Sequence, residues 1–563
     1  VRGGFARAVL HPRGLLHRRP SDAALAPAVR ASLAQAVPLI ALGALGRLDL
    51  APAAGLGAFA GLYGRDEPYR SRAATLAGMG AIQVVGVLVG TVVALSSARH
   101  LWAIPAVAVV AGLATLYCDA VRTGPPAGLF PAYACAIAAF IPARPGDVAV
   151  RVGLTAAAAA LAWGIGMAGW LVLPHGPQRL GAARALEAVA ASLRTGGDGA
   201  ARHRAALGLA RAWNALDAAP SRGAAGVARL AAWVARAETA YRLAPAGTPT
   251  GPDHAGELTA AARRLRGRGP VPEVAAPNRS EAGEVTGLLL EPRLVAGDLR
   301  LGRVRPTRRA VVRAALSPGS PSFRLGLRVG VAAALAGACA VALGLGHAYW
   351  APLTAVAVLQ AATTAATVQR TVQRAVGTGL GIGVGAAVLS GAHSPWVLIA
   401  TLVVAQLAAE LLMPVNYGLA MLAVTPLALA LVALATPSTT GVLVGDRLLD
   451  TAIGAVAGLA CAVVLRDRRA RHRLAAAVAD VRARTAEVGA GSAVDTGRGA
   501  GTGSGADPLR GLAVALVDLR ERYDVAAAEP WPDALPAEEV LDAERAGHET
   551  LATALTGHGS RTR

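Results

Sequence analysis

Two arginines, Arg370 and Arg374, stand four residues apart in a stretch from Tyr349 to Ala386 that is otherwise apolar and rich in glycine. On a helix this spacing puts both guanidinium groups on one face. A guanidinium is a planar, always-charged fork that matches a carboxylate. The pair therefore has two readings: it anchors the cytoplasmic end of a membrane span, or it gates a path and touches an anionic substrate. Arg70, in a similar setting 300 residues earlier, and Trp350 and Tyr417, two aromatics bordering the same stretches, are candidates for the same path.

A second charged group sits at the start of a later apolar segment: Asp446, Arg447 and Asp450. Unpaired charges are costly inside a membrane, so the group reads either as an ion pair or as a carboxylate that couples to protons. Glu410, with Gln406 one turn earlier, looks the most deeply placed carboxylate of its region, although solvation at the cytoplasmic interface is the plainer reading. Asn416 is placed to cap the helix that Tyr417 begins.

Other chemistry finds no seat. Cys118, Cys135, Cys339 and Cys461 lie in or beside apolar segments without metal-ligand spacing and read as small buried hydrophobes. The chain has no lysine, so a phosphate loop of the usual form is excluded, and the glycines from Gly377 to Gly385 do not follow a dinucleotide-binding pattern. Neither a zinc-hydrolase nor a serine-hydrolase signature occurs. The sequence predicts no enzyme, no cofactor and no metal.

The elements that must carry these residues belong to a membrane protein. Hydrophobic residues make up 54% of the chain and charged residues 16%, with a mean hydropathy of +0.47, against about a quarter charged in soluble chains. An all-α polytopic bundle follows. Aromatics are only 4%, and the abundance of small residues favours close helix packing. The glycines Gly377, Gly381 and Gly385, four apart, fit such packing better than ligand binding.

Five regions are expected. Residues 1–27 form a basic leader with Arg2, Arg7, Arg13, Arg18 and Arg19, expected to stay cytoplasmic. Residues 28–173 form a first membrane block with about six apolar windows. Residues 174–322 hold 22 arginines against 11 acidic residues and show helical periodicity, with Leu209, Trp213 and Leu216 on one face and Leu230, Trp233, Ala237 and Tyr241 on another. Pro- and Gly-containing segments, 244–252 and 267–277, separate these helices from the next. Residues 323–465 form a second block of about six windows, followed by Arg466, Arg468, Arg469, Arg471 and Arg473. Residues 466–563 are a helical tail with a Gly-rich linker near 489–505, a stripe of Leu512, Leu516 and Leu519, and a mobile end. The charges of the basic region are dispersed and carry no nucleic-acid motif, so topology and lipid headgroups explain them. Both termini are expected to be cytoplasmic and the chain multi-pass in the plasma membrane.

The blocks repeat each other weakly. Ala51-Pro52 matches Ala351-Pro352, Arg70 matches Arg370, the glycines at 78 and 80 lie beside those at 377 and 379, and Gly146-Asp147 matches Gly445-Asp446. An even number of spans per block makes the halves parallel repeats enclosing a path between them.

The stretches YWAPLTAVAVLQ (349–360), VQRTVQRAVGTGLG (368–381), NYGLAMLAVTPLAL (416–429) and DRLLDTAIGAVAG (446–458) resemble, in order, the signature of the fusaric acid resistance protein-like family. The resemblance covers residues 349–465; the first half shares it only through the repeat. It implies two membrane blocks, helical cytoplasmic regions, and export of small organic anions, aromatic carboxylic acids above all, by a secondary transporter. The partners expected are the lipid bilayer and a small organic anion, with a homo-oligomer compatible and no nucleic acid. An anion channel, or a membrane scaffold that recruits a cytoplasmic partner, are the alternatives.

Overall fold

The computed structural model describes residues 25–196, 199–218, 224–244, 254–274, 307–360, 364–391, 394–435, 440–465, 470–494, 508–527 and 535–561. The leader arginines, Arg466, Arg468 and Arg469, and most of the Gly-rich linker lie outside these residues; the helix before that linker runs through its first glycine to Val494. Every regular element among the described residues is helical.

The first block contains α1 (Leu25–Ala44), α2 (Ala51–Ala58, continued by a 3-10 turn at Phe59–Leu62), α3 (Tyr69–Leu95), α4 (Arg99–Val121), α5 (Leu129–Phe140) and α6 (Pro145–Val172). A polar domain follows with α7 (Gly176–Arg194), α8 (Gly199–Asp217), α9 (Ala224–Leu243) and α10 (His254–Arg266). After α11 (Arg308–Ala315) the second block contains α12 (Pro321–Ala342), α13 (Trp350–Leu359), α14 (Thr364–Gly391), α15 (Pro395–Leu412), α16 (Tyr417–Ala435) and α17 (Thr440–Val464). The tail consists of α18 (Ala470–Val494), α19 (Pro508–Ala527) and α20 (Ala537–Arg561).

Nine helices among the described residues are long and apolar enough to cross a bilayer. Their outer faces expose large apolar side chains, among them Leu101 (74%), Val404 (66%) and Val456 (69%), a pattern that suits lipid and not water. Three of the apolar windows, Leu48–Leu62, Leu129–Phe140 and Trp350–Leu359, are instead short helices. At a rise of about 1.5 Å per residue they are shorter than the hydrocarbon core, which is about 30 Å thick. Every residue of α2 and of α13 is buried. Hydropathy marks such segments correctly as apolar, but the apolar surface they need is supplied by neighbouring helices.

Small residues let these helices approach. Gly377 and Gly381 of α14 lie against the backbone of α16, where a Cβ on Gly381 would fall 2.9 Å from the Met421 carbonyl oxygen and 2.8 Å from the Thr425 Cβ. Within the first block, Gly86 of α3 meets the Pro131 carbonyl of α5 in the same manner. The helix pairs also correspond: α3 packs on α5 and α6, and α14 on α16 and α17, while α2 packs on α6 and α13 on α17. Between blocks, α1 packs on α15 and α4 on α12.

The polar domain and the tail are not separate bodies. Leu186, Leu209, Trp213, Leu230 and Leu258 share one core with Leu474, Val481, Leu512, Leu516, Leu519 and Val540. The tail's last helix contributes Val540, Ala543 and Leu551 to that core. Asp66, in the connection from α2 to α3, lies 3.2 Å from Arg184 of α7. Ser322 at the start of α12 donates to Asp119 near the end of α4 at 2.6 Å. The first contact ties the α2–α3 connection to the polar domain; the second joins the end of α4 to the start of α12.

Candidate functional site

A cavity of about 1800 Å³ runs from the polar domain into the membrane bundle between the two blocks. Its lining contains eleven arginines and three carboxylates. Arg179, Arg184, Arg211, Arg266 and Arg268 come from the polar domain, the others from the bundle or its connections. All three carboxylates are engaged: Asp66 with Arg184, Glu67 as acceptor from the Thr75 hydroxyl at 2.9 Å, and Glu410 with Arg65 at 2.9 Å. Eleven guanidinium groups against three carboxylates leave the field in the cavity net positive. Aromatic rings of Phe59, Tyr69, Phe130, Tyr133, Trp350 and Tyr417 line it as well. None of the described connections on the side away from the polar domain contributes a lining residue.

Arg370 and Arg374 both line this cavity, as one helix face requires. Arg370 is half-buried, its guanidinium 5.3 Å from the centre of the Tyr417 ring. Arg374 is 2% exposed. Its Nη1 donates to the Tyr417 hydroxyl at 2.9 Å and Nη2 reaches the Thr354 hydroxyl at 3.5 Å, while Nε has no hydrogen-bond partner. Tyr417 is held in place by the start of α16, where the Asn416 side chain accepts from the amides of Gly418 (2.8 Å) and Leu419 (3.2 Å), an N-cap. Trp350 closes the deep end at 1% exposure.

Arg70 is not part of the lining; it is exposed on the outside of α3. Arg72, two positions on and so about 200° around the helix, is buried and faces the cavity, with Nε donating to the Gly64 carbonyl at 2.9 Å and its guanidinium 4.9 Å from the Tyr69 ring centre.

The acidic group at the head of α17 separates into three environments. Asp446 accepts from the His347 amide at 3.1 Å and lies 2.7 Å from His347 Nδ1. Arg447 turns inward, 1% exposed, with its guanidinium 4.8 Å from the Trp350 ring centre. Asp450 is fully buried and faces the Ala351 amide at the start of α13, yet neither of its oxygens makes a hydrogen bond of normal geometry. Neither aspartate makes a described ion pair with Arg447; Asp446 is held instead by His347, outside the group. Glu410 lies near the polar-domain end of α15 in its pair with Arg65.

Sequence reasoning missed Tyr133, which stands within interaction range of both Arg374 and Arg447. The available signal was a lone tyrosine in the apolar run LFPAYACAIAAF, because a buried phenol needs a polar partner. Arg65 and Arg72, neighbours of Arg70 in the sequence, are further lining residues that the internal repeat does not single out.

Residues 333–461 match the family model described as fusaric acid resistance protein-like. The chain is also similar to the uncharacterized membrane protein YvaC of Bacillus subtilis (strain 168), with 28% identity over 152 residues, 27% of this chain and 24% of that protein. The match thus spans about a quarter of that relative's length. No solved structure matches. The second membrane block carries a fusaric acid resistance protein-like segment, and the chain is a multi-pass membrane protein.

Proposed function

We propose that the protein is a secondary exporter of small organic anions, aromatic carboxylates in particular, acting in the plasma membrane with the polar domain and both termini in the cytoplasm and with no covalent chemistry. The observation that carries this reading is the charge balance of the cavity: eleven arginines face three carboxylates, each of which already has a partner. An anion entering it loses water but meets fixed guanidinium groups, while an aromatic body meets rings and aliphatic walls. The family match supports export of this type. The reciprocal contacts of α1 with α15 and α4 with α12 support a pair of parallel repeats that can rock about the cavity.

In this reading Arg370 and the polar-domain arginines gather the anion, Arg374 with Tyr417 holds its carboxylate, and Trp350 closes the path beyond. The test is export of a panel of radiolabelled aromatic acids from cells with and without the gene, repeated in proteoliposomes with an imposed proton gradient and no nucleotide. Gene-dependent, saturable export supports the carrier; a steady anion current supports a channel; no movement of any acid at normal membrane abundance rejects both and favours the scaffold.

A further inference from the structure

Behind the cavity floor, two buried charges stand one helical turn apart without satisfying each other. Arg447 Nε and Nη1 lack hydrogen-bond partners, and so do both oxygens of Asp450, although the two residues are 1% and 0% exposed. A buried carboxylate in this condition is costly unless it is neutral or paired. Asp450 therefore has two states: protonated, or ionised and drawn to Arg447. The guanidinium of Arg447 lies against Trp350, whose other surroundings include the cavity, and Tyr133 stands within interaction range of both Arg447 and Arg374.

We propose, on the reading of the cavity as an anion site, that Asp450 is an internal counter-anion that competes with the substrate for the positive charge of Arg447. When Asp450 is ionised, its charge cancels that of Arg447 and repels an anion at Arg374. When it is protonated, two uncompensated guanidinium groups stand at the deep end and anion binding is strengthened. Anion binding at Arg374 and protonation of the Asp450 carboxylate then favour each other; the linkage belongs to binding and does not itself drive export, because a proton carried outward would run against an inward gradient.

The groups around Asp450 and its neighbour Arg447, taken together, leave few rivals for this role. On α17 itself they are Asp446, held by His347, and Arg447. The preceding connection and α13 bring Tyr349, Trp350 and the Ala351 amide, α5 brings Tyr133, and α14 brings Arg374. Arg328 of α12 lies near Cys461, toward the other end of α17.

The experiment is benzoate binding to the detergent-purified full chain at several pH values between about 6 and 8, where benzoate stays ionised, with a pH-indicator dye in weak buffer reporting proton uptake. The wild type should bind more weakly as pH rises, by up to about tenfold per pH unit for one linked proton, and should take up protons on binding. Asp450→Asn should keep the tight, low-pH affinity throughout and take up none. A flat wild-type profile without proton uptake, or an Asp450→Asn profile with the wild-type slope, overturns the proposal. If Asp450→Asn fails to fold, the wild-type proton uptake decides. Loss of binding in Arg374→Ala beside an Asp450→Asn variant that behaves as wild type leaves the export reading intact and removes only the role of Asp450. A folded wild type that binds no benzoate at any of these pH values overturns both.

Discussion

Arg65, in the connection between α2 and α3, donates through one nitrogen to both the carboxylate and the backbone carbonyl of Glu410 in α15, each at 2.9 Å. The contact joins the first block to the second at the edge of the cavity. Its side chains are 25% and 14% exposed, between the surface and buried regimes of ion pairs. Arg65→Ala and Glu410→Gln should each lower stability by about 1 to 2 kcal/mol. Thermal unfolding in detergent measures this, and the exchanged pair Arg65→Glu with Glu410→Arg should recover part of the loss. Additive losses without recovery would mean that the two residues act separately.

Arg374→Lys keeps the charge but loses the fork that reaches both Tyr417 and Thr354. Removing one charge-assisted hydrogen bond costs about 1.5 to 3 kcal/mol, or roughly ten- to a hundredfold in affinity for a carboxylate. Arg370→Lys should be milder, since that side chain lies half-buried over the Tyr417 ring and can be replaced by another cation. Binding and export are measured at matched membrane abundance. Wild-type behaviour of Arg374→Lys would reduce that residue to an anchor of the span.

Gly381→Ala and Gly383→Ala make the same chemical change two positions apart on α14. A Cβ at Gly381 meets the α16 backbone, whereas one at Gly383 meets nothing within 4 Å. The first should destabilise by about 1 to 3 kcal/mol through overpacking; the second should be neutral or stabilise by about 0.5 to 1 kcal/mol through helix propensity. Equal melting temperatures for the two variants would contradict the close packing of α14 on α16.

In the tail's last helix, burial holds the His548 imidazole well below its ordinary value of 6.5, with the charges of Arg202 and Arg242 adding to the effect. His203 is lowered for the same first reason, opposed by Asp524. A depressed histidine is neutral when folded and protonated when unfolded below 6.5. Its contribution is therefore complete above that pH and lost as pH falls beneath it, at up to about 1.4 kcal/mol per pH unit for each group. The protection factors of the α9 and α20 amides in the full chain, corrected for the slower intrinsic exchange at lower pH, should fall between about pH 6.5 and pH 5, and His548→Gln should flatten the response.

Composition was enough to specify an all-helical membrane bundle, because lipid admits few other solutions. The pairing of Arg370 with Arg374 on one face was legible from their spacing alone. What spacing could not supply was the identity of residues facing them across the cavity, since Tyr133 and Tyr417 come from different blocks. Offset matching points to Arg70 because it treats neighbouring positions as equivalent, while a helix turns Arg70 and Arg72 to opposite sides. The merging of the tail with the polar domain was equally hidden: Leu512, Leu516 and Leu519 announce a buried stripe, but not what buries it.

The short helices α2 and α13 have no face left for lipid, every residue being covered by protein. A segment of that kind gains little from partitioning out of the insertion machinery on its own, and α13 must be met by α17, some ninety residues later in synthesis, before its termini are enclosed. Biogenesis of this protein therefore cannot be a series of independent insertions. The second block should remain shielded by chaperone or translocase until its last span emerges, and truncations that remove α17 should be cleared by quality control even though every earlier span is intact.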